Sequence, residues 1–232
     1  MLSIIIPTLN EEKYLSGLLK SLRSQDFKDY EIIVADAGSK DKSSEIAQKF
    51  GAKVIKGGLP AKARNRGAKI AKGELFLFLD ADTMFVPGTL GSFLQEFEKR
   101  KLDIATCWLQ PFGKNKILGL GYDLFYNFPI FLLAQWLCAA SGFILIKKEL
   151  HQKVSGFDES IKLFEDTLYC QKAAKFGKFG VLKSNKLYFS QRRYQENGWL
   201  KTFLKIILAL AYTIFFGPIK SDVFKYRFGH KN

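Results

Sequence analysis

Two carboxylates one residue apart, Asp80 and Asp82, directly follow the apolar run Leu75–Leu79. Where a strand ends and the chain leaves its pleat, such a pair can face one site. Together they suit an oxygen-preferring divalent cation, Mg²⁺ or Mn²⁺, which would neutralise a leaving diphosphate. A solvated turn before the next helix is the plainer alternative. Asp36, with Gly38 and Ser39 after it, closes another apolar run. It can accept hydrogen bonds from a base or ribose, or it can close an ordinary Asx turn. Arg64 and Arg66 offer bidentate grips for phosphate, or a solvated helix face. Glu165-Asp166 opens a helical pattern, where a carboxylate can deprotonate a hydroxyl or simply complement the helix dipole. Arg192 and Arg193 stand next to each other ahead of an apolar stretch and suit a diphosphate or a lipid phosphate.

These residues need elements that bring them to one edge. Apolar runs over 2–6, 30–35, 52–55, 75–79 and 103–108 predict strands, several rich in Ile and Val. Between them, 11–24, 41–50, 61–71 and 89–100 predict helices; the first aligns Leu15, Leu18, Leu19 and Leu22 on one face. Strands alternating with helices imply an α/β fold with a mostly parallel central sheet flanked by helices. In such sheets ligands sit beyond the carboxyl ends of the strands, where Asp36, Asp80 and Asp82 fall.

The 232 residues suffice for one α/β domain with a full core. Hydrophobic residues make up 47% and charged residues 25%, which excludes wholesale disorder. A mean hydropathy of −0.03 excludes a polytopic membrane protein. The formal charge of +14 calls for an anionic partner, and 22 Phe suggest a membrane-facing surface. Cys107, Cys138 and Cys170 are odd in number and form no CxxC, so neither a disulfide framework nor a zinc site is expected. The N-terminal residues show no signal-peptide pattern, and the expected compartment is the cytoplasm.

Two apolar stretches matter. Leu124–Ile146 has no charge, yet Asn127, Pro129, Gln135, Ser141 and Gly142 interrupt it; a helix near the site followed by a buried strand over 142–146 is expected. Trp199–Ile219 holds Lys201 and Lys205 in its first turns and then eleven uncharged residues, Ile206–Phe216, before Gly217-Pro218. The run of eleven uncharged residues between Lys205 and Gly217 is too short to span a bilayer, and a C-terminal apolar helix lying in the interface is expected, with Lys220, Lys225 and Arg227 at anionic headgroups. Packing of this helix on the domain's own core, or on a second copy in a homodimer, is the alternative.

In order and spacing, six motifs resemble family 2 glycosyltransferases of the GT-A (nucleotide-diphospho-sugar transferase) fold. They are Ile4-Ile5-Ile6-Pro7-Thr8-Leu9-Asn10-Glu11, Val34-Ala35-Asp36-Ala37-Gly38-Ser39-Lys40-Asp41, Ala63-Arg64-Asn65-Arg66-Gly67, Leu79-Asp80-Ala81-Asp82, Gly156-Phe157-Asp158-Glu159 and Glu165-Asp166. The resemblance implies a glycosyltransferase domain over 1–195, with a nucleotide half to about 110 and an acceptor half over 111–195. Residues 196–232 would form the apolar helix and a basic tail. It further implies a nucleotide-diphosphate-sugar donor and an inverting hexosyl transfer that depends on Mn²⁺ or Mg²⁺. By the same resemblance Pro7, Thr8, Asn10 and Glu11 line the nucleotide pocket and Asp36 meets the base. Arg64 sits near base or phosphate, Asp80 near the ribose, and Ala81 is among the residues that bind the nucleotide-sugar. Asp82 ligates the metal, and Asp166 is the catalytic base. Glu165, Arg192 and Arg193 are candidates for phosphate or acceptor contacts. Ala37 stands where many relatives carry an acid.

Charge and the apolar C-terminal helix point to a lipid-linked acceptor, or else a saccharide. The expected location is the cytoplasmic face of the plasma membrane, held peripherally, in cell-envelope glycan synthesis. Nucleic acid is not expected as a partner. The competing reading is a non-catalytic basic protein that binds membrane or nucleic acid. A dehydrogenase is excluded because no GxGxxG follows the first strand.

Overall fold

The chain was analysed as a computed structural model, which describes residues 1–112, 124, 127, 128, 138–140, 142–192, 198 and a subset of positions between 204 and 223. Arg193 lies outside the described residues, as do ten of the 21 positions of the expected C-terminal helix over 199–219 and most of the expected helix within 124–141.

The chain begins with β1 (Leu2–Thr8), α1 (Glu12–Arg23), β2 (Tyr30–Asp36), α2 (Ser43–Lys49) and β3 (Lys53–Lys56). It continues through α3 (Pro60–Ile70), β4 (Leu75–Leu79), β5 (Thr83–Met84), α4 (Thr89–Lys99) and β6 (Ile104–Pro111). After β7 (Phe143–Lys147) come α5 (Lys148–Lys153), α6 (Glu165–Ala174) and β8 (Phe179–Phe189). The eight-stranded sheet has the order β3-β2-β1-β4-β7-β6-β8-β5. From β3 to β4 every pairing is parallel. Beyond β4 the sheet turns mixed: β7 runs antiparallel to both β4 and β6, β8 pairs parallel with β6, and β5 closes antiparallel on β8. The mostly parallel expectation therefore holds for the first half and gives way in the second.

Period-two alternation builds the core on both faces of the sheet. Ile4 and Ile6 face α1 and α4 with Leu15, Leu18, Leu19, Leu22, Phe93 and Phe97. Ile5, Ile33, Phe76 and Phe78 face the other way, among residues of α3, α5 and α6. Helix α3 lies unusually close to β1 because Gly67 has no side chain; a Cβ there would stand 2.4 Å from Ile5 Cγ2. All three cysteines are buried and free.

Strand β8 is absent from the sequence expectations for a physical reason. Its centre, Lys183-Ser184-Asn185-Lys186, is polar, and its pairing with β6 shifts register between Cys107 and Trp108. That irregularity hides the alternation on which strand prediction depends.

Candidate active site

The carboxyl ends of β1, β2 and β4 form the floor of the site. Thr8 and Asp36 are register partners, and the Ala37 N–H donates to the Thr8 carbonyl at 2.9 Å. The two loops above them are laced by side chains. The N–H groups of Asn10, Glu11 and Glu12 donate to Ser39 Oγ, Ser43 Oγ and Asp41 Oδ2 at 2.9, 2.8 and 2.9 Å. Asn10, at φ 53°, returns a bond by accepting the Lys40 N–H at 2.8 Å. These donors include orphan N–H groups at the start of α1, so the neighbouring loop caps that helix. Pro7 and Thr8 complete this rim.

Asp36 engages one carboxylate oxygen with its own turn and the other with helix α2. Oδ1 accepts from the N–H groups of Gly38 and Ser39 and from Ser39 Oγ at 2.8–2.9 Å, and Oδ2 accepts from Ser44 Oγ. The Asx turn is thus formed; Asp36 holds the loop that follows β2. Arg66 likewise points to backbone, donating to the carbonyls of Lys56 and Gly57.

Arg64 is buried at the centre of the site. One guanidinium nitrogen donates to Asp80 Oδ1 at 2.9 Å and the other to Glu165 Oε1 at 2.8 Å. It joins the end of β4 to the start of α6. Those carboxylates and Asp166 hold the guanidinium firmly protonated against its burial. Its charge lies 5.4 Å from the centre of the Phe157 ring, which stacks on Tyr169 at 3.8 Å. Tyr169 OH in turn meets His151 Nδ1 at 2.7 Å; burial pushes that imidazole down to about 4, so it stays neutral near pH 7.

Asp166, beside Glu165 in the first turn of α6, is the most perturbed carboxyl here. Loss of hydration pushes it up to about 7, helped by the charges of Glu165 and Asp80 and opposed by Arg64. A group poised there is partly ionised at neutral pH and is a far better base than an ordinary aspartate.

The tight turn after β4 holds Asp80, Ala81 and Asp82. The Asp80 N–H donates to the Gly142 carbonyl at 3.0 Å, and Thr83 Oγ1 donates to the Asp80 carbonyl at 2.8 Å. Ala81 is buried. Asp82 Oδ2 lies 3.5 Å from Arg192 Nε, while the Arg192 terminal nitrogens make a 2.6 Å bidentate pair with Glu11. Glu11, Asp82 and Arg192 therefore meet, drawn from three distant parts of the chain. Glu11 is buried and its carboxylate faces Arg192.

No cluster of three or more His, Cys, Asp or Glu suited to a metal ion occurs among the described residues. The Asp80–Asp82 turn fits a hard cation in a different way. Mg²⁺ and Mn²⁺ commonly take one or two protein carboxylates and fill the remaining positions with phosphate and water.

Sequence reasoning missed the parts that fix these groups in place. Asn65 clamps the backbone of Phe157: its amide donates to the Phe157 carbonyl and accepts the Phe157 N–H, both at 2.9 Å. Gly156 makes room for the clamp at φ +68°, since a Cβ there would stand 2.6 Å from Asn65 Oδ1. Asn65 and Phe157 both lie inside recognised motifs, but their pairing spans 92 positions and leaves no local pattern.

Comparison with known proteins agrees with this geometry. Residues 3–155 match the family model described as Glycosyl transferase family 2. Poly(ribitol-phosphate) beta-N-acetylglucosaminyltransferase TarS of Staphylococcus aureus (strain MW2) is 29% identical over 210 residues, covering 84% of this chain and 36% of TarS. A crystal structure of S. aureus TarS 1-349 in complex with UDP-GlcNAc superposes with a TM-score of 0.67 at 26% identity, over 82% of this chain and 58% of that one. The GalNAc(5)-diNAcBac-PP-undecaprenol beta-1,3-glucosyltransferase of Campylobacter jejuni is 36% identical over 105 residues, 41% of this chain and 34% of that enzyme. Mannosyltransferase PcManGT from Pyrobaculum calidifontis, in complex with GDP-Man and Mn²⁺, shares the fold with a TM-score of 0.68 at 19% identity, over 89% of this chain and 64% of that one. The chain thus spans about a third of the length of these curated relatives. It belongs to glycosyl transferase family 2 and has the GT-A fold.

Proposed function

We propose that this family 2 glycosyltransferase moves a hexose, with inversion, from a UDP- or GDP-sugar to a hydroxyl of a lipid-linked saccharide at the cytoplasmic face of the plasma membrane. The observation that carries the reading is the position of Asp166 beside the Arg64–Glu165 pair, with its carboxyl pushed up to about 7. A polyprenyl phosphate acceptor brings its own anionic oxygen and needs no such base. A sugar hydroxyl does. Relatives support the lipid-linked class: the Campylobacter enzyme is named for an undecaprenol-linked acceptor. UDP, UDP-GlcNAc and GDP-Man in the neighbouring structures support the donor class.

In this mechanism Pro7, Thr8, Asn10 and the Asp36 turn shape the nucleotide pocket. Asp80 and Ala81 border the ribose. Arg64 holds Asp80 in place. Asp166 takes the proton of the acceptor hydroxyl as that oxygen attacks the anomeric carbon, and the donor's bond to diphosphate breaks on the opposite side. Asp82 would hold Mn²⁺ or Mg²⁺, with diphosphate oxygens completing its shell, and the ion would offset charge on the leaving diphosphate. Arg192 adds positive charge beside that position.

The test is thermal stability with UDP, GDP and their sugar conjugates, with and without Mn²⁺, alongside Asp82→Ala. A ligand at a hundred times its Kd adds about 2.7 kcal/mol to the folded state. The expected result is a metal-dependent rise for one nucleotide that Asp82→Ala loses. No rise with any nucleotide, in folded protein, overturns the reading.

A further inference from the structure

Among the described residues near the C-terminus, apolar side chains point the wrong way for a helix packed on its own core. Leu204, Leu208, Phe215 and Phe216 are 50, 61, 79 and 78% exposed, whereas Ala209 is fully buried. Positions 204, 208, 212 and 216 recur at the four-residue spacing that shares one helical face, and the Tyr212 and Phe216 rings lie 5.2 Å apart. The outward face is thus an apolar stripe rather than a polar one.

The stripe is connected to the catalytic base. After Phe216 the chain turns at Gly217 (φ +86°) and Pro218. Ile219, 2% exposed, then forms an antiparallel bridge with Leu163, and the Lys162 N–H donates to the Ile219 carbonyl at 2.8 Å. Leu163 precedes Glu165 by two residues. The segment carrying the exposed phenyl rings is therefore hydrogen-bonded to the loop that presents Asp166.

We propose that the Leu204–Leu208–Phe215–Phe216 stripe seats in an anionic lipid bilayer, and that the Ile219–Leu163 bridge transmits this seating to the Asp166 loop. The inference rests on the lipid-linked-acceptor reading above and names the lipid surface as the partner that orders the base. Charge favours a bilayer over other occupants of an apolar face. Lys220 is exposed just beyond the bridge, Lys225, Arg227 and Lys231 follow in the sequence, and the chain carries a net +14. Phenyl rings in the acyl boundary and lysines at the headgroups are the two components of interfacial binding. The uncharged run Ile206–Phe216 is too short to span a bilayer, so the stripe would lie in the interface.

Co-sedimentation with vesicles of equimolar phosphatidylglycerol and phosphatidylcholine tests the surface; hydrogen exchange of the 161–164 amides tests the connection. The wild type is expected to bind these vesicles and to bind phosphatidylcholine alone more weakly. Phe215→Ser/Phe216→Ser is expected to bind about tenfold more weakly or worse, since each ring loses the transfer energy of a buried Phe. Vesicles should slow exchange at Lys162 and its neighbours in the wild type only. Both residues are exposed, so the variant should fold, and an unchanged thermal response to nucleotide verifies it. Equal binding by the variant overturns the proposed surface, as does a serine variant that instead turns a dimer into a monomer. Binding without slower exchange overturns the connection to Asp166. Lost vesicle binding with an intact nucleotide response leaves the transferase reading standing. Vesicle binding without any nucleotide response sinks that reading alone.

Discussion

Arg192 and Glu11, 181 positions apart, form a buried bidentate ion pair at 2.6 Å on both arms. The pair ties the end of the last strand to the loop after the first and holds the Arg192 Nε 3.5 Å from Asp82. Removing one member deprives the other, buried charge of its bidentate partner. Arg192→Met is expected to destabilise the fold by about 3 kcal/mol. Glu11→Gln/Arg192→Met should cost clearly less than the sum of the single changes. Urea denaturation of the four proteins measures this, and strictly additive costs would contradict the coupling.

Asp166 makes stability depend on pH in an unusual direction. Its folded-state carboxyl titrates near 7, above the ordinary 3.8, so the folded protein binds the extra proton in that window. Stability is therefore unaffected by this group below about pH 4, falls as pH rises towards 7, and stays lowered above it. Asp166→Asn removes the penalty. It should match the wild type at pH 4 and exceed it by about 1–2 kcal/mol at pH 8, allowing for the partial exposure of the carboxyl. Denaturation at both pH values checks the sign.

The same substitution separates acceptor classes. With a saccharide hydroxyl as acceptor, Asp166→Asn should lower kcat by about 10²–10⁴-fold with little change in donor KM. The wild-type rate should rise through a limb near pH 7 that the variant lacks. A polyprenyl phosphate acceptor would leave much of the activity in place.

Gly156 should tolerate no side chain. Gly156→Ala places a Cβ 2.6 Å from Asn65 Oδ1 at a φ that L-residues rarely adopt. Expected are a loss of about 1–3 kcal/mol in stability and a lower kcat, because Phe157 lies beneath Arg64. Asn65→Ala should reproduce the kcat loss without the backbone strain. Thermal melts and kinetics of both variants decide whether the clamp acts on catalysis or on folding alone.

Local features made much of this fold readable. Ile4-Ile5-Ile6 and Leu75–Leu79 are short apolar runs bounded by turn residues, and both appear as strands with the expected cores. The Asp80–Asp82 turn and Glu165-Asp166 also fall where their neighbours in sequence place them. What stayed hidden is where long side chains end. Nothing near Arg64 announces Glu165, 101 positions away, and nothing near Glu11 announces Arg192. Asp36 shows the reverse: the Gly38-Ser39 beside it allowed both a ligand contact and a local turn, and three hydrogen bonds from its own loop form the turn while Ser44 of α2 supplies a fourth. The mixed half of the sheet was unreadable because antiparallel partners such as β4 and β7 lie far apart in sequence.

The lacing of the 10–12 backbone to Ser39, Asp41 and Ser43 has a kinetic meaning. Those loops satisfy their own N–H groups before any donor arrives, so little chain entropy is lost on encounter. If the proposed donor docks at this rim, its capture is expected to be governed by diffusion and by the attraction of a +14 protein for diphosphate, and to slow as salt screens that field. Any slow step of the cycle would belong to the acceptor side, whose loop is bridged to Ile219 through Leu163.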